Sequence, residues 1–520
     1  MAIACGIDTG GPRPRFDIWE YKVTGNTTLQ VAVIEKAVYA FLGPDRTIDD
    51  VDHACAALEK AYRDAGGATV NVDIPEQPVT QGVIELRVVE GQVEQVKVSG
   101  ARYHDQERIL AALPAAATRE VLNFNALRGQ LANVNQSADR RVQPLLRPGH
   151  APGTAEVEFK VDDSLPLHGS VDLSNRYSPS RAPNPGDYRL AGTVRYDNLW
   201  QREHSLSLSY LTSPGHPDEV QVTSASYTLP MGQPERSLTL YAVHSNSNSD
   251  LTTSMAGTNV LGRGDILGLR YSQPIGHAQG MTQSLTLGAD FKDSREDLNQ
   301  LGTGSFPTPL TYWLGSAQYA AVLPDPRGQT DFGVGLSLSA RGLRNNDDQF
   351  ALKRYKGQAN FAVLHWNLQR NQNLARKFTL VARLEGQLAS APLPSNEEYV
   401  AGGVDSVRGY PEGVQAGDVG VRESIELRTP SLIRGADPSA NLRLLTFVEG
   451  ARLKVLDPLP GQIDNYTLAS LGLGLRLSTR RGLSSSMDYA WRLRDGQTTD
   501  THGSVGKGGG RLHFDVSCQF

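Results

Sequence analysis

Cysteine is scarce: Cys5, Cys55 and Cys518 are the only three in 520 residues, and no two of them form a CxxC pair. That excludes a structural zinc site or a thioredoxin-like centre. A Cys5–Cys55 disulfide is open to the chain in an oxidising compartment, but single buried or free thiols are the simpler reading. Long apolar runs are missing too. No stretch approaches the roughly 18 residues that a membrane helix needs, and mean hydropathy is -0.35. A bundle of membrane helices is therefore excluded, but a β-barrel is not, because only alternate residues of its strands face lipid. Charge of one sign is also lacking. A net charge of -5 and a pI near 6.2 give nucleic acid no basic surface to bind.

Catalytic and metal signatures are equally absent. The eleven histidines are scattered without HExxH spacing, and no GxSxG nucleophile elbow occurs. Gly503-Ser504-Val505-Gly506-Lys507 is too short for a phosphate loop, has no Ser or Thr after its lysine, and reads as a flexible turn. Arg263-Gly264-Asp265 matches a three-residue adhesion motif of the kind that arises by accident. The acidic pairs Asp347-Asp348 and Glu397-Glu398 read as solvated loop residues. Nothing here argues for an enzyme, a cofactor or a metal. Residues 1–15 have no basic n-region and no apolar h-region, so no secretory signal is evident. Ala2-Ile3-Ala4 resembles the small-residue end of one, as a trimmed or misplaced start would leave it.

What is present begins with a repeat. From Phe16 to Glu90 the pattern reads β-α-α-β-β. Phe16–Val23 is a short strand, and a helix follows over Leu29–Leu42. Thr47 is placed to cap a second helix with Asp49 and Asp50 in its first turn, where the helix dipole favours carboxylates. Val51, Ala54, Cys55, Leu58 and Tyr62 fall on one face of that helix. Strands at Thr69–Ile74 and Gly82–Val89 close the unit. The same order recurs from Val93 to Val161, with helices at Asp105–Leu113 and Asn125–Ser137 and closing strands at Val142–Leu146 and Ala155–Val161. A fold repeated at a spacing of roughly 75 residues implies two small modules in series. Each leaves a sheet edge that an extended peptide can join by β-augmentation.

From about Leu167 the character changes. Leu206, Leu208 and Tyr210 alternate with serines. Leu285, Leu287, Ala289 and Phe291 alternate with polar or small residues, as do Phe332, Val334, Leu336 and Leu338. Leu471-Gly472-Leu473-Gly474-Leu475-Arg476-Leu477 is the cleanest run. About sixteen such strands fit between Leu167 and Phe520, roughly 22 residues per strand and loop, which suits a transmembrane barrel. A large soluble all-β domain would show the same alternation with the apolar parity turned inward, and parity alone does not say which. The last strand carries Leu512, Phe514, Val516, Cys518 and the terminal Phe520 on one parity. An aromatic end of this kind resembles the assembly signal of bacterial outer-membrane barrels.

One loop stands out, from about Ala391 to Val419, with Val407-Arg408-Gly409-Tyr410 near its middle. Taken alone, it is an ordinary glycine-rich hairpin loop with an exposed arginine. The strand Leu442–Val455 changes its meaning. If Leu442, Leu444, Thr446 and Val448 face lipid, Phe447 and Glu449 face the lumen, where a carboxylate needs water or a cation. Arg408 supplies the cation if its loop folds inward, and a simply wet Glu449 is the plainer alternative.

Two β-α-α-β-β modules, about sixteen strands, and Val407-Arg408-Gly409-Tyr410 before the twelfth resemble the two-partner secretion transporters of the outer membrane, the TpsB family of ShlB/FhaC/HecB type. These are relatives of the BamA-like assembly barrels. Leu145–Thr154 resembles the family's turn late in its second module. The family's partner motif, F-x-D-x-G on the thirteenth strand, stands here as Phe447-Val448-Glu449-Gly450-Ala451, with Glu for Asp and Ala for Gly.

The resemblance implies an α+β region followed by an all-β one. Periplasmic POTRA modules would lie at 16–91 and 92–163, and a 16-stranded antiparallel barrel at 164–520, with the loop at 391–419 folded inward. Family members commonly have a signal peptide, and many have a plug helix, for which 1–15 leaves no room. The implied partners are a secreted β-helical exoprotein of TpsA type, outer-membrane lipid, and the barrel-assembly machinery that would read Phe520. The exoprotein would be of haemolysin, haemagglutinin or adhesin kind, captured unfolded by the modules, exported through the barrel, and in some cases activated. A monomer with no cofactor and no nucleic acid partner is expected. Arg408 would hold the loop through Glu449, with Tyr410 packed beside it. Two alternatives stay open: a barrel-assembly factor, which usually carries more POTRA modules, and a passive porin or receptor, which needs none.

Overall fold

The computed structural model describes residues 15–520 except 68, 79–80, 152, 177–187, 216, 218–219, 233–235, 248–252, 256–257, 261, 279, 301–303, 343, 434–439, 481 and 497–505. Cys5 and most of the turn at Gly503–Lys507 therefore lie outside the described residues. The chain forms two compact units, Met1–Pro166 and Leu167–Phe520.

The first unit contains both modules. The first module comprises β1 (Phe16–Ile18), β2 (Glu20–Thr24), α1 (Val31–Val38), β3 (Gly43–Arg46), α2 (Ile48–Asp64), β4 (Val70–Asp73) and β5 (Val83–Glu90). β5 lies centrally, parallel to β2 and antiparallel to β4. The expected first strand is broken into β1 and β2, and β1 pairs instead with β3, a strand whose sequence, GPDR, carries no β signal. At the start of α2 the Asp50 carboxylate accepts the Thr47 N–H at 2.8 Å and its hydroxyl at 3.0 Å. These bonds hold the Asp50 carboxyl below its usual range. Val51, Ala54, Cys55, Leu58 and Tyr62 are the buried residues of α2, at the helical spacing expected for a face packed on a sheet. Burial pushes the Cys55 thiol up to about 12, so it packs as an inert apolar group.

The second module repeats this plan with β6 (Gln92–Ser99), α3 (Gln106–Ala111), α4 (Phe124–Val134), β7 (Arg140–Pro148) and β8 (Thr154–Asp163). β8 is central, parallel to β6 and antiparallel to β7. The repeat thus extends to strand direction. Asp105 and Asn123 cap α3 and α4 through their side-chain oxygens. The outer sides of β6, β7 and β4 are partly covered, β6 by residues 119–121 through Val93, β7 by the Asn135 side chain through Val142, and β4 by Glu59 through the Val72 N–H.

Asp163, at the end of β8, ties this module together. Its buried carboxylate accepts the N–H groups of Arg102, Tyr103 and His104 at 3.1, 2.8 and 3.0 Å, and lies 3.2 Å from His104 Nδ1. Burial pushes its pKa up, but the four polar contacts outweigh that and hold it below the usual carboxylate range. A depressed folded pKa gives stability that is full above the unfolded value, about 3.9, and is lost as pH falls through the folded one. Denaturation of a fragment spanning 15–166 is expected to show this loss below about pH 4. Asp163→Asn should be less stable at pH 7 and should lack that part of the acid loss. Superimposable acid profiles would count against the assignment.

The second unit is a closed sixteen-stranded barrel. Its strands run from β9 (Leu167–Ser174), β10 (Arg189–Leu199), β11 (His204–Thr212), β12 (Val220–Pro230) and β13 (Ser237–Ser247), past a hairpin of β14 (Thr253–Met255) and β15 (Thr258–Val260) that stands outside it. They continue through β16 (Arg263–Ala278), β17 (Met281–Gln300), β18 (Gly304–Asp325) and β19 (Gly328–Ser339). After α5 (Asp347–Lys353) come β20 (Phe361–Asn373) and β21 (Thr379–Ala389). The loop hairpin of β22 (Tyr399–Ala401) and β23 (Gln415–Gly417) precedes β24 (Val419–Arg428), β25 (Asn441–Lys454), β26 (Asn465–Ser478), β27 (Leu483–Arg492) and β28 (Gly510–Gln519).

Every barrel neighbour is antiparallel, and β28 closes on β9 through five register pairs, Asp515–Gln519 with Ser170–Ser174. Phe520 extends that seam by exchanging backbone bonds with Gly169 at 2.9 and 2.8 Å. A Cβ on Gly169 would lie 2.4 Å from the Phe520 ring, so the glycine is what lets the terminal ring cross the seam.

The parity question is answered by exposure. Leu208, Leu287, Leu336, Leu338, Leu473 and Leu512 are exposed on the outer surface, while Ser424, Glu426, Glu449, Ser470, Asp488 and His513 are buried inside. A soluble β domain would bury the first set. An apolar outside and a polar inside belong to a barrel whose solvent is lipid.

Of the two acidic pairs read as solvated, Asp347-Asp348 is at the surface, with Asp348 exposed and Asp347 partly so, and Glu397-Glu398 is not. Asp347 and Asp348 open α5, with Asn346 as its cap, and Asp347 accepts the Ala359 N–H at 2.8 Å. Glu397 is largely buried, 2.5 Å from Lys292 Nζ and 2.5 Å from the Tyr312 hydroxyl. Its neighbour Glu398 is also mostly covered, 3.9 Å from Arg354. The reading of Glu397 and Glu398 failed because a loop that folds into a barrel is surrounded by wall residues far away in sequence.

Candidate functional site

Between β21 and β24, the eleventh and twelfth strands of the barrel, the chain turns inward and brings its tip against the wall. The β22–β23 hairpin starts the inward path, and the tip runs from Gly402 to Val414. Val407 and Tyr410 are fully buried with Val414, Ala451, Leu453, Tyr466 and Leu468, the last four on β25 and β26. The Tyr410 hydroxyl donates to the Arg494 carbonyl at 2.7 Å and lies 3.0 Å from that of Ala469. Ala469 pairs with Gly450, so the hydroxyl is seated on β26 one register position from Glu449. Gly409 lies between them at φ +96°, and a Cβ there would sit 3.2 Å from both the Ala490 Cβ and the Ala490 carbonyl oxygen on β27. Only glycine meets the conformation and the close approach together. Its N–H donates to His513 Nε2 at 2.9 Å, and its carbonyl accepts from Arg492 at 3.3 Å.

Arg408 points the other way, into a set of three carboxylates. Glu449 accepts the Arg408 backbone N–H at 2.8 Å with one oxygen, and Nη2 and Nε at 2.6 and 3.1 Å with the other. Glu426 lies 3.1 Å from Nη2 and Asp488 3.2 Å from Nη1. The guanidinium carbon stands 3.4 Å from the centre of the Phe447 ring, a stacked cation–π contact. All of these side chains are buried. Two further arginines pair directly with these carboxylates: Arg428 is 2.5 Å from Glu426, and Arg476 binds Asp488 at 2.7 and 2.8 Å. Three cations thus face three anions, and the loop brings one of the three.

The strands explain why these groups converge. On neighbouring strands Ser424 pairs with Glu449 and Glu426 with Phe447, so the two glutamates lie diagonally on the lumen face of β24 and β25. Phe447 pairs with Gly472, and Gly474 with Asp488. A Cβ on Gly472 would lie 2.3 Å from the Phe447 ring, and one on Gly474 1.9 Å from the Asp488 carboxylate. The two glycines on the inner parity of β26 therefore make the space that the stacked ring and the carboxylate fill.

Of the residues singled out from sequence, Val407, Arg408, Gly409, Tyr410, Phe447 and Glu449 meet inside the barrel, and Phe520 lies on the seam. Glu426, Asp488, His513 and Arg476 were missed. A signal for two of them existed. Glu426 is bracketed by Ile425 and Leu427, and Asp488 by Met487 and Tyr489, all four exposed on the lipid face, so a charge at the middle position must face the lumen.

Glu449 reaches both the backbone and the guanidinium of Arg408. Glu449→Asp would keep the charge but shorten the reach by one methylene, while Glu426 and Asp488 stay in place. Protection of the loop tip from added protease in the assembled barrel is expected to be intermediate between wild type and Glu449→Ala for this variant. Cleavage of Glu449→Asp at the Glu449→Ala rate would contradict the share given to its neighbours.

The model of the haemolysin secretion/activation proteins ShlB/FhaC/HecB matches residues 153–477, and that of the ShlB-type POTRA domain matches 16–91. The outer membrane transporter CdiB of Dickeya dadantii is 21% identical over 225 residues, 42% of this chain and 38% of that protein. CdiB of Escherichia coli O6:K15:H31 is 25% identical over 189 residues, 36% of this chain and 31% of that protein. The chain thus aligns with well under half the length of these relatives. Among solved structures, CdiB from Escherichia coli superposes with a TM-score of 0.64 at 19% identity, covering 100% of this chain and 93% of that one. BamA from Haemophilus ducreyi lacking POTRA domains 1–3 gives 0.59 at 13% identity, covering 97% and 100%; at such identities both show the fold alone. With its POTRA module and most of its barrel under these two models, the chain belongs to the ShlB/FhaC/HecB family, the TpsB transporters of the outer membrane.

Proposed function

We propose that this protein takes an unfolded partner exoprotein from the periplasm and exports it through its barrel. As a family member it sits in the outer membrane with its POTRA region in the periplasm. The outer strands of the β2-β5-β4 and β6-β8-β7 sheets each have one strand neighbour in the sheet, and the stretches left uncovered on their other side would receive an extended chain, which is how β-augmentation captures a peptide without demanding one sequence. The cargo would be a β-helical protein of haemolysin, haemagglutinin or adhesin kind. The chain carries no nucleotide-binding motif, so folding of the cargo at the cell surface would supply direction. Phe520, at the seam, would be read by the assembly machinery, and the barrel would act as a monomer.

The observation that carries this reading is the inward tip. Arg408 is the one cation that the loop contributes to a buried cluster of three carboxylates on the wall, so the loop is held by an interaction that can be made and broken as a unit. A passive pore has no need of that. The test is secretion of an exoprotein encoded beside this gene, with and without this chain, in cells whose other outer-membrane proteins are monitored. The exoprotein should reach the medium only when the chain is present. Secretion independent of the chain, or a general fall in other barrels on its removal, would reject export in favour of a pore or an assembly factor.

A further inference from the structure

The tip is only one end of the inward loop. Its root lies at the barrel end opposite the start of β9, and a second, separate set of buried polar groups holds it there. Asp418, fully buried where the loop rejoins β24, accepts the Leu393 N–H at 2.6 Å with one oxygen. Its other oxygen accepts the Leu456 N–H at 2.6 Å and Arg354 Nη2 at 3.1 Å. One carboxylate therefore joins both ends of the loop to the segment that follows β25. Arg354 comes from the segment after α5, and its Nη2 also donates to the Leu456 carbonyl at 3.2 Å. Three loops of the same barrel end are thus pinned at one guanidinium.

On the other side of the root, Lys292 of β17 meets Glu397 at 2.5 Å, with both side chains largely buried. The Tyr312 hydroxyl of β18 donates to the same Glu397 oxygen at 2.5 Å. Gln387 Nε2 spans the two groups, donating to the carbonyls of Glu397 at 2.9 Å and Asp418 at 3.2 Å. Apolar packing seals the arrangement, because Ala391 and Leu393 of the root share a buried cluster with Phe350 of α5, Leu310, Tyr312 and Phe361. None of these groups touches the carboxylates of Arg408.

We propose that Lys292, Glu397, Arg354 and Asp418 form a second lock that fixes the root of the inward loop, so that the tip is released as a swing about the β22–β23 hairpin while the loop stays tethered. These are positioning residues for Arg408: they set where the tip starts from. An ion pair this buried is costly to break from one side, because the remaining charge is left without a partner. The inference rests on the export reading for its consequence in the cell, but its geometry stands apart from it.

The test uses the full chain with Ser406 replaced by cysteine in the tip, and with Cys5 and Cys518 replaced by serine. Labelling of the assembled barrel by a water-soluble maleimide is read together with export. Lys292→Glu and Glu397→Lys are each expected to speed labelling at 406 about tenfold or more, as loss of a lock worth one order of magnitude in population requires. Export should fall in parallel. The double exchange, which restores opposite charges in reversed order, should bring both readouts back to within about twofold of the parent. Arg354→Met should behave like the single reversals and Arg354→Lys should recover part of the effect. Assembled single reversals that label at the parent rate would overturn the proposal, and so would an assembled double exchange that labels as fast as the singles. A parent that exports nothing would reject the export reading instead, while the labelling rates would still decide on the lock.

Discussion

Arg408→Ala is expected to insert, migrate and resist protease as wild type does, yet to export about a tenth of the partner or less. The barrel wall does not depend on this side chain. β24 and β25 share ten register pairs and β25 and β26 fourteen, none of them involving the loop tip. What changes is the charge ledger of the lumen. Glu449, Glu426 and Asp488 would keep the direct ion pairs of Arg428 and Arg476, with Arg383 within electrostatic range of Glu426. Removing one partner of a buried pair costs about 3–5 kcal/mol, mostly because the remaining charge is stranded. At 1.4 kcal/mol per factor of ten, that shifts the balance between seated and released tip by about two orders of magnitude or more.

Arg408→Lys should fall between the two, since an ammonium is a point charge without the planar fork that meets several carboxylates at once. If the loss comes from the stranded charge, Glu449→Ala added to Arg408→Ala should cost little more than Arg408→Ala alone. Heat-modifiable migration on gels checks assembly, and the amount of partner in the medium checks export. Full export by a correctly assembled Arg408→Ala protein would remove the role assigned to the tip.

How far the sequence reached depends on the range of the interaction concerned. The buried face of α2, Val51, Ala54, Cys55, Leu58 and Tyr62, was legible because a helix buries one stripe at fixed spacing. The alternation of the barrel strands was legible for the same local reason, with a period of two. The lipid face itself was not, because alternation is symmetric between inside and outside until a closed wall decides it. The pairing of β1 with β3 escaped because Gly-Pro-Asp-Arg has no strand preference and is extended only by what it lies against.

Arg408 and Glu449 were paired on the condition that the loop folds inward, and the resemblance to a family supplied that condition, since no local rule joins two residues on different strands. Glu426 and Asp488 were readable as lumen charges from their apolar neighbours. Their convergence on Arg408 was not, because it depends on the stagger of four strands. Glu397 was misread for the opposite reason. A glutamate in a loop is solvated by default, and its lysine partner lies on β17, more than a hundred residues away.

Gly409→Ala is expected to lose export to a similar degree, with every charge of the cluster still in place. Two separate costs act at this position. A Cβ at φ +96° meets the backbone sterics that make this region glycine's own, worth about 1–2 kcal/mol. The same Cβ would stand 3.2 Å from the Cβ and carbonyl oxygen of Ala490, a contact that a buried, fully packed wall has little freedom to relieve. Lifting the tip by even a fraction of an ångström stretches the bond from Gly409 N–H to His513 and the one from Arg492 to its carbonyl. It also moves Arg408, one residue away, off the Phe447 ring.

The two costs separate in a second variant. Ala490→Gly removes the Cβ on the wall but leaves the backbone strain, so Gly409→Ala with Ala490→Gly should recover part of the export and not all of it. Gly409→Val, which adds bulk that Ala490→Gly cannot accommodate, should stay at the Arg408→Ala level in either background. Normal export by an assembled Gly409→Ala protein would mean that the tip does not need to lie this close to β27. Arg408 would then have to reach its carboxylates from a looser loop, which its backbone bond to Glu449 at 2.8 Å opposes.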